Sequence, residues 1–159
     1  MSSKSLCADD LEIIEKYSDM VYRMAYSMVK NRFDAEDIHQ EVFMKYLKKK
    51  PVFENTDHEK AWFLRVTVNH CKNFWKSAWI QKVIGLEEHE MSAEQEDVHD
   101  ELIDTVKKLP QKYRAVIHLF YYEELSVEEI GKVLGEKPST VRTRLTRARS
   151  KLKELLEED

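Results

Sequence analysis

The sequence predicts an all-α protein of two small helical domains joined by a flexible acidic linker, and three observations carry that expectation. Breakers are sparse: 159 residues hold three Gly and three Pro, amid abundant Leu, Glu, Lys and Met, which favour helix. No run of alternating Val, Ile and Thr asks for a strand. Charge is segregated: the formal net charge is −4, yet the last helix is basic and the middle of the chain acidic. With 42% apolar and 10% aromatic residues, the chain can build cores, which excludes wholesale disorder.

Each element follows from its periodicity. Residues 9–30 place Leu11, Ile14, Ser18, Val21, Ala25 and Met28 on one face, widened by Tyr17, Met24 and Tyr26. Asp9 and Asp10 suit a helix start, where carboxylates meet the positive end of the dipole. Asn31 to Phe33 interrupt the pattern. A second helix is expected from Asp34, as N-cap, to Lys49, with Ala35, Ile38, Val42, Tyr46 and Leu47 turned inward. Lys48, Lys49 and Lys50 followed by Pro51 end it, since cations suit the negative end and proline cannot continue the helix.

Residues 51–58 read as a loop, after which Thr56 or Asp57 is expected to cap a third helix running to Lys82. Ala61, Leu64, Val68, Cys71 and Trp75 share its inner face. Its other side mixes aromatics, amides and cations: Phe63, Asn69, Lys72, Asn73, Phe74, Lys76 and Trp79. Rings on a helix are commonly core, but interleaving with Lys and Asn also suits stacked bases and paired phosphates. From Gly85 to Glu101 there are eight acidic residues and no Lys or Arg, the composition of a self-repelling linker. The domains are therefore expected at 1–84 and 101–159, with the linker at 85–100.

The second domain opens with a helix over 100–108 and, after Pro110, another to Tyr122 that buries Tyr113, Val116, Ile117, Phe120 and Tyr121. Leu125 to Leu156 then reads as a helix-turn-helix, completing a four-helix domain. Ser126 and Glu129 can close a capping box, Gly135 can take the left-handed conformation at the turn, and Pro138 fits the first turn of the last helix. There Val141, Leu145, Ala148, Leu152 and Leu155 recur at core spacing. From Lys137 to Lys153 the helix holds seven basic residues and no acidic one. A solvated helix normally mixes signs, so a polyanion is the expected partner.

Cys7 and Cys71 lie far apart, with no CxxC and no nearby His pair. Neither a disulfide framework nor a metal site is suggested, and reduced thiols are expected. The N-terminus lacks a signal-peptide run and no stretch approaches the ~18 apolar residues of a membrane span, so a cytoplasmic protein without direct membrane insertion is expected. No HExxH, phosphate-cradling Gly-rich loop or ordered Ser/His/Asp set is present, and no enzymatic activity or cofactor is expected. A metal-dependent nuclease using Asp34, Glu36, Asp37 and Glu41 lacks a third ligand with sensible geometry.

Three stretches together resemble a known family: DAEDIHQEVFMKYLKK (Asp34–Lys49), KAWFLRVTVNHCKNFWKS (Lys60–Ser77) and the C-terminal run from Leu109 to Leu156. They are similar to regions 2.2, 2.3–2.4 and 4 of bacterial RNA polymerase sigma factors of the extracytoplasmic-function (ECF) group, the two-domain members of the sigma-70 family. The resemblance covers nearly the whole chain. It implies a promoter-specificity subunit that binds core RNA polymerase through the β′ clamp helices and the β flap, and that reads promoter DNA. The family also commonly pairs with a membrane-linked anti-sigma factor.

Residue by residue, the resemblance gives Asp37, Gln40 and Glu41 to the polymerase; an ordinary solvated acidic face is the alternative for them. It places the −10 pocket between the loop Phe53–Asp57, including Asn55, and the helix near Asn69. Phe53 would stack a base, Asn69 would read its edge, and Lys72, Asn73 and Lys76 would hold the backbone. Many relatives are more basic after Lys76, where Trp79, Ile80, Val83 and Ile84 stand here. In the last helix Ser139, Thr140, Arg142, Thr143 and Arg147 are left to reach the −35 element. Arg142 or Thr143 would read bases, and Arg147, Arg149 and Lys151 would bind phosphates. A stand-alone helix-turn-helix regulator explains the C-terminal half equally well but leaves the two polar faces of the N-terminal half unexplained.

Overall fold

The computed structural model of the chain describes residues 7–83 and 101–157, which form two compact units. The expected acidic linker lies outside the described residues. Among them there are seven α-helices, one π-helical turn and no strand. Helices α1 (Ala8–Val29), α2 (Arg32–Lys49) and α3 (Thr56–Val83) make the first unit, each packed on the other two.

Why these residues pack this way is clearest at Phe63, which is fully buried. Its ring stacks on Tyr17 of α1 at 4.7 Å and meets Phe43 and Tyr46 of α2, both at 5.4 Å. Burying a side chain of this size is worth roughly 1.5–3 kcal/mol, and ring pairs add to that. Phe63, grouped by sequence with the mixed outer side of α3, is therefore the hub of the core. Leu11, expected inside, is exposed, and the neighbouring Asp10 takes the inward position at that end of α1.

Polar ties fix the ends of the bundle. Asp10 is buried, accepts from the Cys7 backbone N–H at 3.3 Å and the Tyr46 hydroxyl at 3.3 Å, and pairs with Lys50. The Lys50 ammonium holds the Asp10 carboxyl below the usual carboxylate range, and the carboxylate raises Lys50 in turn. Lys50 sits at φ 44°, and Lys30 at φ 60°, each ending its helix in the left-handed region, at a cost of about 1 kcal/mol each. At Lys50 the ion pair offsets that strain. Tyr17 donates to Glu59 at 2.6 Å, and Lys16 joins the same oxygen at 3.2 Å, tying α1 to the first turns of α3.

Two caps differ from expectation. Asn31, not Asp34, caps α2, accepting from the Asp34 N–H at 3.0 Å. Asn55, not Thr56 or Asp57, caps α3, accepting from the His58 N–H at 2.8 Å. In both places asparagine stands one to three residues earlier, and its carboxamide oxygen reaches the third helical N–H without a charge to desolvate.

The second unit comprises α4 (Glu101–Lys107), α5 (Gln111–Ile117), a π-helical turn (His118–Tyr122), α6 (Val127–Leu134) and α7 (Pro138–Glu157). Its core is aliphatic: Leu109, Val116, Leu119, Ile130, Leu134, Val141 and Leu145 are buried. The single helix expected over 111–122 instead widens at His118. A buried pair explains the change: His118 Nε2 lies 2.9 Å from a Glu123 carboxylate oxygen, both side chains being nearly inaccessible. Residues five apart stand one above the other in a π turn, not in an α-helix. The widening rolls Tyr121 and Tyr122 out, to 53% and 59% exposed, although Tyr121 was expected inside.

Candidate nucleic-acid and partner interfaces

The helix-turn-helix is set by local chemistry. Ser126 and Glu129 cap each other reciprocally, at 3.1 and 2.8 Å, and Gly135 takes φ 72°. The Gly131 carbonyl accepts from the Glu136 N–H at 2.9 Å, folding the turn back on α6. Gly131 itself was missed by sequence reasoning. It is buried, and a β-carbon there would meet the Glu136 carbonyl oxygen at 2.7 Å, so only glycine lets the turn approach this closely.

Val141, Leu145 and Ala148 turn α7 onto the core, as expected. Ser139, Arg142, Thr143, Arg147 and Lys151 are exposed, and Thr140 is half-buried. Lys151 lies 3.7 Å from Glu154, a surface pair worth little. Arg144, another of the seven cations, pairs with Glu136 at 3.1 Å. Arg149 is engaged by Tyr121, to which its Nε–H donates at 2.7 Å.

On α3, Asn69, Lys72, Asn73 and Lys76 are exposed and fall on one stripe at spacings of three and four. Trp62, half-buried, and Arg65, exposed, extend that stripe toward the N-terminus. Neither was singled out from sequence, though both stand at helical spacing before Asn69. Phe53 is half-buried and lies edge-on to His58 at 5.5 Å and to Trp62 at 5.9 Å. His58 Nδ1 accepts from the Glu54 N–H at 3.1 Å, so the ring of His58 closes the loop that carries Phe53 and Asn55. The Asn55 carboxamide oxygen is taken up as the α3 cap, and the residue is exposed. Beyond Lys76 the helix exposes Trp79, Ile80 and Val83.

On α2, Asp37, Gln40 and Glu41 are exposed opposite the buried Ile38 and Val42. Glu41 also pairs with His70 of α3 at 3.2 Å. Phe33 and Met44, both exposed, flank the same stripe. Asp34, Glu36, Asp37 and Glu41 do not gather as metal ligands: among the described residues no three His, Cys, Asp or Glu side chains come together so. Among them, too, no helix is long and apolar enough to cross a membrane, and Cys7 and Cys71 are free thiols.

These surfaces coincide with two known families. Residues 13–80 match the family "Sigma-70 region 2" and residues 99–152 the family "Sigma-70, region 4". The chain is similar to the RNA polymerase sigma factor SigV of Bacillus subtilis (strain 168), 35% identical over 130 residues that cover 80% of this chain and 78% of the relative. To the ECF RNA polymerase sigma factor SigW of the same organism it is 31% identical over 163 residues, covering 91% and 87%. Among solved structures it is similar in fold to the sigma factor RpoE of Bartonella quintana, solved in complex with the anti-sigma factor NepR. That match has a TM-score of 0.77 at 24% identity, covering 96% of this chain and 99% of the other. CnrH, solved with the cytosolic domain of CnrY, has the same fold at a TM-score of 0.67 and 22% identity, covering 94% and 88%. With region 2 matched on the unit that carries the acidic face and region 4 on the unit that carries the basic helix, the chain belongs to the ECF group of the sigma-70 family, the promoter-specificity subunits of bacterial RNA polymerase.

Proposed function

We propose that this sigma factor divides its work among three surfaces. Asp37, Gln40 and Glu41 of α2 bind the β′ clamp helices of core polymerase, with the β flap held by the second unit. Phe53, Asn55, Asn69, Lys72, Asn73 and Lys76 capture and hold the melted −10 strand. Ser139, Thr140, Arg142, Thr143, Arg147 and Lys151 dock on the −35 duplex, with Arg142 or Thr143 on bases and Arg147 on phosphate. Residues 85–100 serve as the linker between units at 1–84 and 101–159. The protein makes and breaks no bonds of its own, acts in the cytoplasm, and is held inactive by an anti-sigma factor, as the solved relatives' complexes suggest.

The observation that carries this reading is the segregation of charge. An exposed acidic stripe on α2 stands in one unit, and a helix whose exposed charged residues are all basic as far as Lys153 stands in the other. Opposite charge steers each surface to a different partner, polymerase or DNA. Replacing Asp37 and Glu41 together by Lys is expected to abolish co-purification with core polymerase. Both side chains are exposed, so the helical circular dichroism should be unchanged. Unchanged co-purification would remove α2 from the polymerase interface.

A further inference from the structure

Arg149, exposed on α7, has a partner within its own unit. Its Nε–H donates to the Tyr121 hydroxyl at 2.7 Å. The guanidinium lies over the rings of Phe120 and Tyr121, at 5.4 and 5.6 Å, and these two rings meet edge to face at 4.9 Å. At 3.6 residues per turn, Arg149 stands roughly 90° around α7 from the middle of the outward stripe through Ser139, Thr143 and Thr146, on the same flank as Arg142 about two turns earlier. It leaves the flank of the helix, toward the π turn.

The contact between α7 and the core through Val141, Leu145 and Ala148 is apolar and has no preferred direction of its own, and the Arg144–Glu136 pair ties the first half of α7 to the turn. A charge-assisted hydrogen bond to the hydroxyl of Tyr121, whose ring meets Phe120 edge to face, does have a direction. We propose that Arg149 is a positioning residue. Clamped by Phe120 and Tyr121, it sets the roll of α7 and so aims Arg142 and Thr143, about two turns earlier, at the −35 bases. This rests on the reading of α7 as the −35 helix. The π turn gains a purpose in the same stroke, because rolling Tyr121 out of the core is what brings its hydroxyl to Arg149.

The test uses the full chain assembled with core polymerase. The probe is a promoter fragment from which that holoenzyme initiates, compared with the same fragment carrying a scrambled −35 element, across a series of KCl concentrations. Tyr121→Phe keeps the ring and loses only the acceptor. It should cut the preference for the intact over the scrambled element by about three- to tenfold. Arg149→Ala should cut it at least as far, with the slope of log affinity against log salt unchanged, and the double variant should fall no further than Arg149→Ala within about twofold. Arg147→Ala, by contrast, should flatten the slope by about 0.9 and keep the preference. A slope flattened by about 0.9 in Arg149→Ala would make it a phosphate contact and overturn the proposal. So would a Tyr121→Phe protein that keeps the full preference, including one whose only defect is a lower melting temperature. If scrambling the −35 element leaves the wild-type affinity unchanged, the reading of α7 itself is lost, and the proposal with it.

Discussion

In region 2 the proposed reading stripe of α3 lies on the back of the helix that carries Phe63, the centre of an aromatic core, whereas in region 4 the proposed reading helix packs a narrow aliphatic face, Val141, Leu145 and Ala148, on its supports and adds a turn and a flank contact. The two units consequently depend on different chemistry. Region 2 gets a rigid surface from large rings that interlock three helices. Region 4 has an aliphatic core with Arg114, His118 and Glu123 buried among it, and burial holds Arg114 down to about 10. Its precision has to come from directional features: a glycine that admits a close turn, a capping box, and the Tyr121–Arg149 bond. A small unit with a modest core gains little from burial alone. The comparison teaches that the same task, presenting a helix face to nucleic acid, can rest on packing volume or on a few specified contacts.

The largest expected effect breaks the region 2 side of this contrast. Phe63→Ala removes the ring on which Tyr17, Phe43 and Tyr46 converge, and should cost about 3–5 kcal/mol. In urea unfolding followed by circular dichroism, an early transition should separate from a later one belonging to region 4. Next is Gly131→Ala, which should destabilise region 4. The new methyl meets the Glu136 backbone at 2.7 Å, a clash worth about 1–3 kcal/mol. Better helix propensity returns about 1 kcal/mol of that. A lowered melting temperature with weakened −35 binding is the outcome expected; a gain in stability would mean the turn is not held so close.

The smallest effect concerns pH. Asp10 titrates below its ordinary value because Lys50 is bonded to it. Its contribution is therefore complete above the unfolded value of about 4, and is lost as the pH falls through the lowered folded value. Asp10→Asn should be less stable than the parent at neutral pH and should show a flatter fall in urea midpoint below about pH 4. Parallel acid limbs would detach the Asp10–Lys50 pair from the stability of the bundle.

What could be read from the sequence followed how local the cause was. Ser126 with Glu129, Gly135 and the apolar register of Val141, Leu145 and Ala148 are settled within a few residues, and the structure has them as expected. The caps at Asn31 and Asn55 were displaced because Asp34, Thr56 and Asp57 are equally good cap residues, and only the path of the preceding chain chooses among them. Gly131 carries no local signal, since its reason is a carbonyl five residues on that the turn brings back. The π turn depends on a buried His118–Glu123 pair at a spacing no α-helical pattern reveals. Arg149 looked like one more cation among seven, because its partner stands 28 residues away.

The central claim is that the two units act together as a promoter-specificity subunit, and run-off transcription with purified core polymerase tests it most directly. On a set of candidate promoter fragments, core alone should give no specific transcript. Core with this protein should give one that is lost when either the −10 or the −35 element is scrambled. A protein that binds its duplex unaided in a gel shift, yet directs no transcript from core on any fragment, would contradict the account.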